Sequence, residues 1–227
     1  MQPTDRPRFK VCCIRNLDEA QAAIDAGAAA LGLVSRMPSG PGVIADDQIA
    51  EIAARVPPGV DTFLLTSQQE IDTIIEQHSA ARTSVLQIVD DLPPDGLAQL
   101  RSALPGIRLV QVIHVTGEDA IEMAERAARW AHAILLDSGN PNLATKELGG
   151  TGRRHNWAIS ARIRTRLGVP VFLAGGLDPD NATEALTTVR PFGLDVCSGL
   201  RDSAFDLDPN KLARFADAVN SGAHAVG

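Results

Sequence analysis

Eight short apolar runs, each followed by a segment with helical spacing, fill this 227-residue chain from residue 9 almost to its end. The runs are residues 9–14 (F-K-V-C-C-I), 28–34, 60–65, 84–88, 108–114, 133–136, 169–174 and 193–196. They are rich in Val, Ile and Leu and show little polar alternation, as expected of strands buried on both faces. The segments between them place apolar residues three and four apart, as Leu17, Ala20 and Ile24 do. They predict helices over 17–26, 46–56, 67–78 (capped by Ser67), 95–104, 118–130, 157–167, 181–189 and 209–220. Strict alternation, repeating at roughly 25 to 30 residues, predicts a parallel sheet with crossover helices. An open doubly wound sheet alternates too. Eight units with glycine-rich turns late in the chain favour a closed sheet, so the expectation is α/β: a single (β/α)8, or TIM, barrel with a parallel eight-stranded core. No composition break marks a second domain. One barrel domain is expected over 1–227, with 1–8 and 221–227 as flexible tails.

Composition narrows the partners. The net charge is −7 with no basic run, which argues against nucleic acid or an anionic membrane surface. No apolar run approaches the roughly 20 residues of a membrane span. The first residues carry no apolar leader core, and three cysteines, two of them adjacent, form no disulfide framework. A reducing cytoplasm is the expected setting. The dinucleotide fingerprint G-x-G-x-x-G is absent after the first strand.

The chemistry concentrates between residues 169 and 199. The seventh run ends in Gly175-Gly176, and Asp178 or Asp180 is placed to cap the next helix, with Pro179 near its first turn. The eighth run ends at Cys197, followed by Ser198-Gly199. Two adjacent strand-to-helix turns of this kind converge backbone N–H groups on one point and suit a phosphate. Glycines that only make tight turns are the plainer alternative. In a barrel the reacting groups sit at the C-terminal strand ends. There the first strand offers Cys12 or Cys13, the fifth His114 and the sixth Asp137. Phe9, Val11 and Cys13 share one strand face and suit the helix layer, leaving Lys10 and Cys12 inside. Lys10 then has Asp195 as an inward partner low in the barrel. Cys12 and Asp137 face each other across the mouth, where a thiol and a carboxyl can exchange protons once their pKa values are tuned. A small buried thiol and a loop-bonding carboxylate are the alternatives. Oxidation could link Cys12 to Cys197 on the neighbouring strand. His114 and His155 are left out of the site.

Several stretches resemble the phosphoribosylanthranilate isomerase family, the (β/α)8 barrel of tryptophan biosynthesis. Lys10 to Ile14 (K-V-C-C-I) is similar to its strand-one K-I-C-G motif, and A-I-L-L-D-S at 133–138 to its strand-six motif. G-G-T-G-R-R-H-N-W at 149–157 resembles its G-G-T-G-x-x-x-x-W signature, and 173–181 and 193–199 its phosphate-side motifs. The resemblance implies an Amadori rearrangement of a phosphoribosyl arylamine. Cys12 is then the base at the sugar C2 and Asp137 the acid at the ring oxygen. It implies a phosphate held by Gly150, Gly175, Gly176, Ser198 and Gly199, with no metal and no organic cofactor.

The departures from the family gather on one side. Its strand-one Gly is Cys13 here, and its S-P-R loop, whose Arg helps hold the anthranilate carboxylate, reads S-G-P-G at 39–42. The aromatic residue before that loop is Ser35, Q-L-H-G reads Q-I-V-D at 87–90, and the strand-five Lys is Gln111. Arg36 lies in the same loop and is the candidate replacement for the carboxylate, with a solvated loop Arg as the plainer alternative. A paralogue acting on another phosphorylated sugar amine and a non-catalytic phosphosugar-binding barrel are the other readings. The partner is a small phosphorylated sugar, and the protein is expected as a monomer or homodimer.

Overall fold

The computed structural model describes residues 8–140, 143, 145–149 and 152–223. Its elements alternate strictly: β1 (Arg8–Val11), α1 (Leu17–Asp25), β2 (Ala30–Val34), α2 (Asp46–Arg55), β3 (Asp61–Thr66), α3 (Ile71–Ala81), β4 (Val85–Ile88), α4 (Gly96–Ala103), β5 (Arg108–His114), α5 (Asp119–Ala127), β6 (Ala133–Asp137), α6 (Trp157–Arg166), β7 (Val171–Leu173), α7 (Ala182–Val189), β8 (Gly193–Val196) and α8 (Pro209–Ala223). All neighbouring strands are parallel, and β1 pairs with β8 to close the barrel. β1 and α8 reach into both segments expected as tails. None of the described helices is long and apolar enough to cross a membrane.

Side-chain alternation divides the apolar residues between two layers. Phe9, Val11, Leu31, Leu33, Leu64 and Leu86 point outward and pack against the helices. Phe63, Val85, Val110, Val112, Leu135 and Phe172 point inward and fill the barrel. The inward layer carries one buried ion pair. Lys10 and Asp195, register partners on β1 and β8, meet with Nζ 2.8 Å from each carboxylate oxygen.

Three local expectations change. Ser67 does not cap a helix: its Oγ donates to the Arg36 carbonyl, and α3 begins only at Ile71 after an extended Glu70. The hydroxyl ties the loop after β3 to the loop after β2, so it serves the barrel mouth instead. Neither Asp178 nor Asp180 caps α7. Asp178 Oδ1 accepts the N–H groups of Asp180 and Asn181 in a tight turn, and Asn181 occupies the cap position. The third change, at Cys13, belongs to the mouth and is described with it.

Closure rests on the last helix as well as the last strand. Phe215 of α8 is wholly buried and meets Phe9 of β1 edge to face, 5.8 Å between ring centres. Phe215→Ala is expected to cost about 3–5 kcal/mol, read as a lower midpoint in urea unfolding. A change below about 1 kcal/mol would mean that α8 is not part of the cooperative core.

Candidate active site

The C-terminal end of the barrel opens into a cavity, the place where barrel enzymes keep their chemistry. Cys12, Asp137, Gly175, Gly176 and Ser198 all line it. Five residues flagged by the sequence, as phosphate-side turns or as the thiol–carboxyl pair, therefore share one space.

Cys12 extends β1 by one more rung, its N–H donating to the Val196 carbonyl at 2.8 Å. The alternation that points Lys10 inward is thereby carried one step further, to the Cys12 side chain. That thiol is buried. Burial pushes it up to about 11, against the pull of the Lys10 ammonium, while Asp195 adds to the upward push.

Cys13 departs from the expected placement in the helix layer. Its φ of 63° lies in the left-handed region, which inverts the strand alternation and turns its side chain to the mouth beside that of Cys12. There it forms a disulfide with Cys197 across a Cα–Cα distance of 6.0 Å. The cross-strand link thus uses Cys13 and not Cys12, which stays free. The expectation of three thiols without a disulfide is corrected by the same turn of backbone. An L-residue in this region pays about 1–2 kcal/mol, and the position is the one where the resembled family has glycine.

Arg201, just past the turn after β8, was not singled out by the sequence. Its buried guanidinium donates to the carbonyls of Cys13 (2.6 Å) and Cys12 (3.3 Å) and to Glu19 Oε1 (2.6 Å). It clamps the backbone that carries the thiol to the start of α1. No motif announces this, because its three partners come from residues 12, 13 and 19.

Asp137, at the end of β6, is buried. Burial raises its pKa, and Asp195 adds to the rise, while His114, the Ser138 N–H and Lys10 oppose it. A carboxyl so placed tends to hold its proton, as an acid should. His114 is its register partner on β5, with Nε2 3.0 Å from the Val89 carbonyl, so this ring stands beside the acid although the sequence reading left it out. His155, the other omitted histidine, is brought down to about 4 by burial and bonds Ser160 Oγ at 2.7 Å.

On the phosphate side, Gly176 is at φ 64°, and a Cβ there would stand 2.6 Å from the Arg153 carbonyl carbon. Only glycine lets the loop before α6 lie against the turn after β7. Gly199 does not line the cavity and packs against the Leu177 backbone. Gly150 lies outside the described residues. Arg36 is exposed and is not among the lining residues, whereas Met37, Ser39, Gly40 and Pro41 of its loop are. Among the described lining residues there is no Lys or Arg. Gln111 spends its amide on main-chain carbonyls of 88, 90 and 112. Asp90 is paired with Lys146 at 2.6 Å.

The family profile described as N-(5'-phosphoribosyl)anthranilate (PRA) isomerase matches residues 9–218. The N-(5'-phosphoribosyl)anthranilate isomerase of Methanocella arvoryzae is 32% identical over 93% of this chain and 97% of its own. The crystal structure of phosphoribosyl anthranilate isomerase from Thermotoga maritima superposes with a TM-score of 0.82 at 26% identity, covering 95% and 99% of the two chains. A phosphoribosyl anthranilate isomerase in complex with reduced 1-(o-carboxyphenylamino)-1-deoxyribulose 5-phosphate shares the fold, with a TM-score of 0.79 at 24% identity over 95% and 99%.

The cross-link is open to direct counting. Unfolded without reductant, the protein is expected to take up iodoacetamide at Cys12 alone, and at all three cysteines after reduction. Reduction is expected to lower stability by about 2–4 kcal/mol. Full labelling before reduction would rule the Cys13–Cys197 bond out.

Proposed function

We propose that this chain, which belongs to the N-(5'-phosphoribosyl)anthranilate isomerase family, carries out the family's Amadori rearrangement. It converts N-(5'-phosphoribosyl)anthranilate to the carboxyphenylamino-deoxyribulose phosphate in tryptophan biosynthesis. The observation that carries the reading is the single cavity holding Cys12, Asp137 and the turns after β7 and β8.

The carboxyl acts as the acid and the thiol as the base. Asp137, kept protonated by burial, gives its proton to the ribose ring oxygen, and the ring opens to a Schiff base. Cys12 as thiolate takes the proton from C2, and the enolamine that results becomes the aminoketone. Gly175, Gly176 and Ser198 hold the phosphate end and so set the distance of C2 from the sulfur. The reaction moves only protons, so no metal or organic cofactor enters the proposal. The protein works in the cytoplasm on this small phosphorylated sugar, as a monomer or homodimer.

The aglycone end differs. A carboxylate bound in a cavity calls for a charge-assisted partner, and no described lining residue supplies one. We assign this to Arg36, whose loop already reaches the cavity and whose guanidinium has no carboxylate partner among the described residues. The same lack of a lining cation favours a second reading, in which the substrate is a phosphorylated sugar amine without the carboxylate.

Turnover of phosphoribosylanthranilate, followed by loss of its fluorescence, separates these readings. Cys12→Ala and Asp137→Asn are each expected to lower kcat by at least about 10²-fold. Arg36→Gln is expected to raise KM with kcat nearly unchanged, the mark of lost uniform binding. An unchanged KM in Arg36→Gln would remove Arg36 from the site. No turnover by the unaltered protein, together with binding of ribose 5-phosphate, would point to the second reading. Binding without C2 proton exchange in any sugar amine would leave only a phosphosugar-binding barrel.

A further inference from the structure

A buried thiol that must act as a base needs a nearby positive charge, and the described lining of the cavity holds no Lys or Arg. The charge lies one layer below. Lys10 is fully buried, and its ammonium has three donors. Two meet the Asp195 oxygens at 2.8 Å each. The same ammonium interacts with the Cys12 side chain. The residue of β2 packed against both is Gly32, where a Cβ would stand 2.7 Å from Cys12 Sγ and 3.0 Å from Lys10 Nζ. Any side chain at Gly32 would crowd both the thiol and the ammonium.

We infer that Lys10 is a positioning residue for the reaction: its ammonium, held by Asp195 and given room by Gly32, supports the thiolate form of Cys12. The inference rests on the reading of Cys12 as the base. It also gives the buried pair a task beyond holding β1 to β8. Asp195 keeps Lys10 charged, since burial alone would work against the ammonium and the carboxylate raises it above its ordinary value. The same carboxylate competes with the thiolate for the ammonium, so Asp195 and Lys10 act on Cys12 with opposite sign.

The groups that face this thiol from each packed element are few. β1 gives Lys10, β8 gives Asp195, and β6 gives Asp137. The turn after β8 gives Arg201, which bonds the Cys12 carbonyl and is itself paired with Glu19 of α1. β2 contributes Gly32 and Ala30, which carry no charge. Cys13 and Cys197 do not titrate while joined.

The chain contains no tyrosine, so the rise in absorbance near 240 nm on alkaline titration of the disulfide-intact protein reports Cys12. Asp195→Asn is expected to move that midpoint down, by about one pH unit or more, because the ammonium is released to the sulfur. Lys10→Met made together with Asp195→Asn leaves no unpaired buried charge, and it is expected to move the midpoint above that of Asp195→Asn by a similar amount. Lys10→Arg, which keeps the cation, should leave the midpoint near that of the unaltered protein. Gly32→Ala should act like loss of the cation while keeping the native circular dichroism. A Lys10 that is only a strut would leave the Cys12 titration alike in Asp195→Asn and the double variant, and that result overturns the inference. It stays distinct from failure of the functional reading: full turnover by Cys12→Ala would discard the base, whatever the titration shows.

Discussion

The pairing of the first strand with the last, made inside the barrel by Lys10 and Asp195, is the constraint on which the rest depends. Burying an ion pair costs several kcal/mol per ion. The two hydrogen bonds to the carboxylate, with the Phe63 ring 5.3 Å from the ammonium, offset part of that. What the pair adds is register. A slip of one residue would send Lys10 into the apolar helix layer and Phe9 into the barrel. With register held, Cys12 and Cys13 follow Lys10 on one strand, and Cys197 and Ser198 follow Asp195 on the other. The thiol and one phosphate turn are therefore placed by the same interaction.

Around that seam the mouth divides by environment. On the β6 side, burial and the neighbouring Asp195 favour the protonated carboxyl of Asp137 over the charged form. On the β1 side, burial disfavours the thiolate and Lys10 opposes that. The same low-polarity interior thus suits the acid directly and suits the base only with a cation beneath it. Tight turns at Gly175 and Gly176 bring the β7 end and the loop before α6 close enough to share the cavity.

Much of this was readable before folding. The eight alternations specify the barrel because each strand buries both faces and each helix one. Lys10 reads as inward because it sits between Phe9 and Val11, and Asp195 as its partner because both fall at equivalent positions of neighbouring strands. The reading stumbled where a residue left its element's periodicity. Cys13 was assigned to the helix layer by alternation, and a left-handed φ takes it out of alternation. Ser67 looked like a cap because it precedes an apolar period, yet its hydroxyl serves a carbonyl 31 residues away. The rewritten aglycone loop was visible as a missing Arg, and the exposed setting of Arg36 matches the solvated alternative.

The sequence by itself determined the fold, the C-terminal location of the chemistry and the residue types available there. Those follow from local periodicity and from turn residues, which neighbours along the chain decide. Only the tertiary structure decided that Cys13 and not Cys12 joins Cys197, that Arg201 grips the carbonyls of Cys12 and Cys13, and that Gly32 leaves room for Lys10 and Cys12. Each of these depends on atoms brought within about 3–6 Å by strands adjacent in space, and such distances are set by barrel closure and packing, which a linear pattern does not encode.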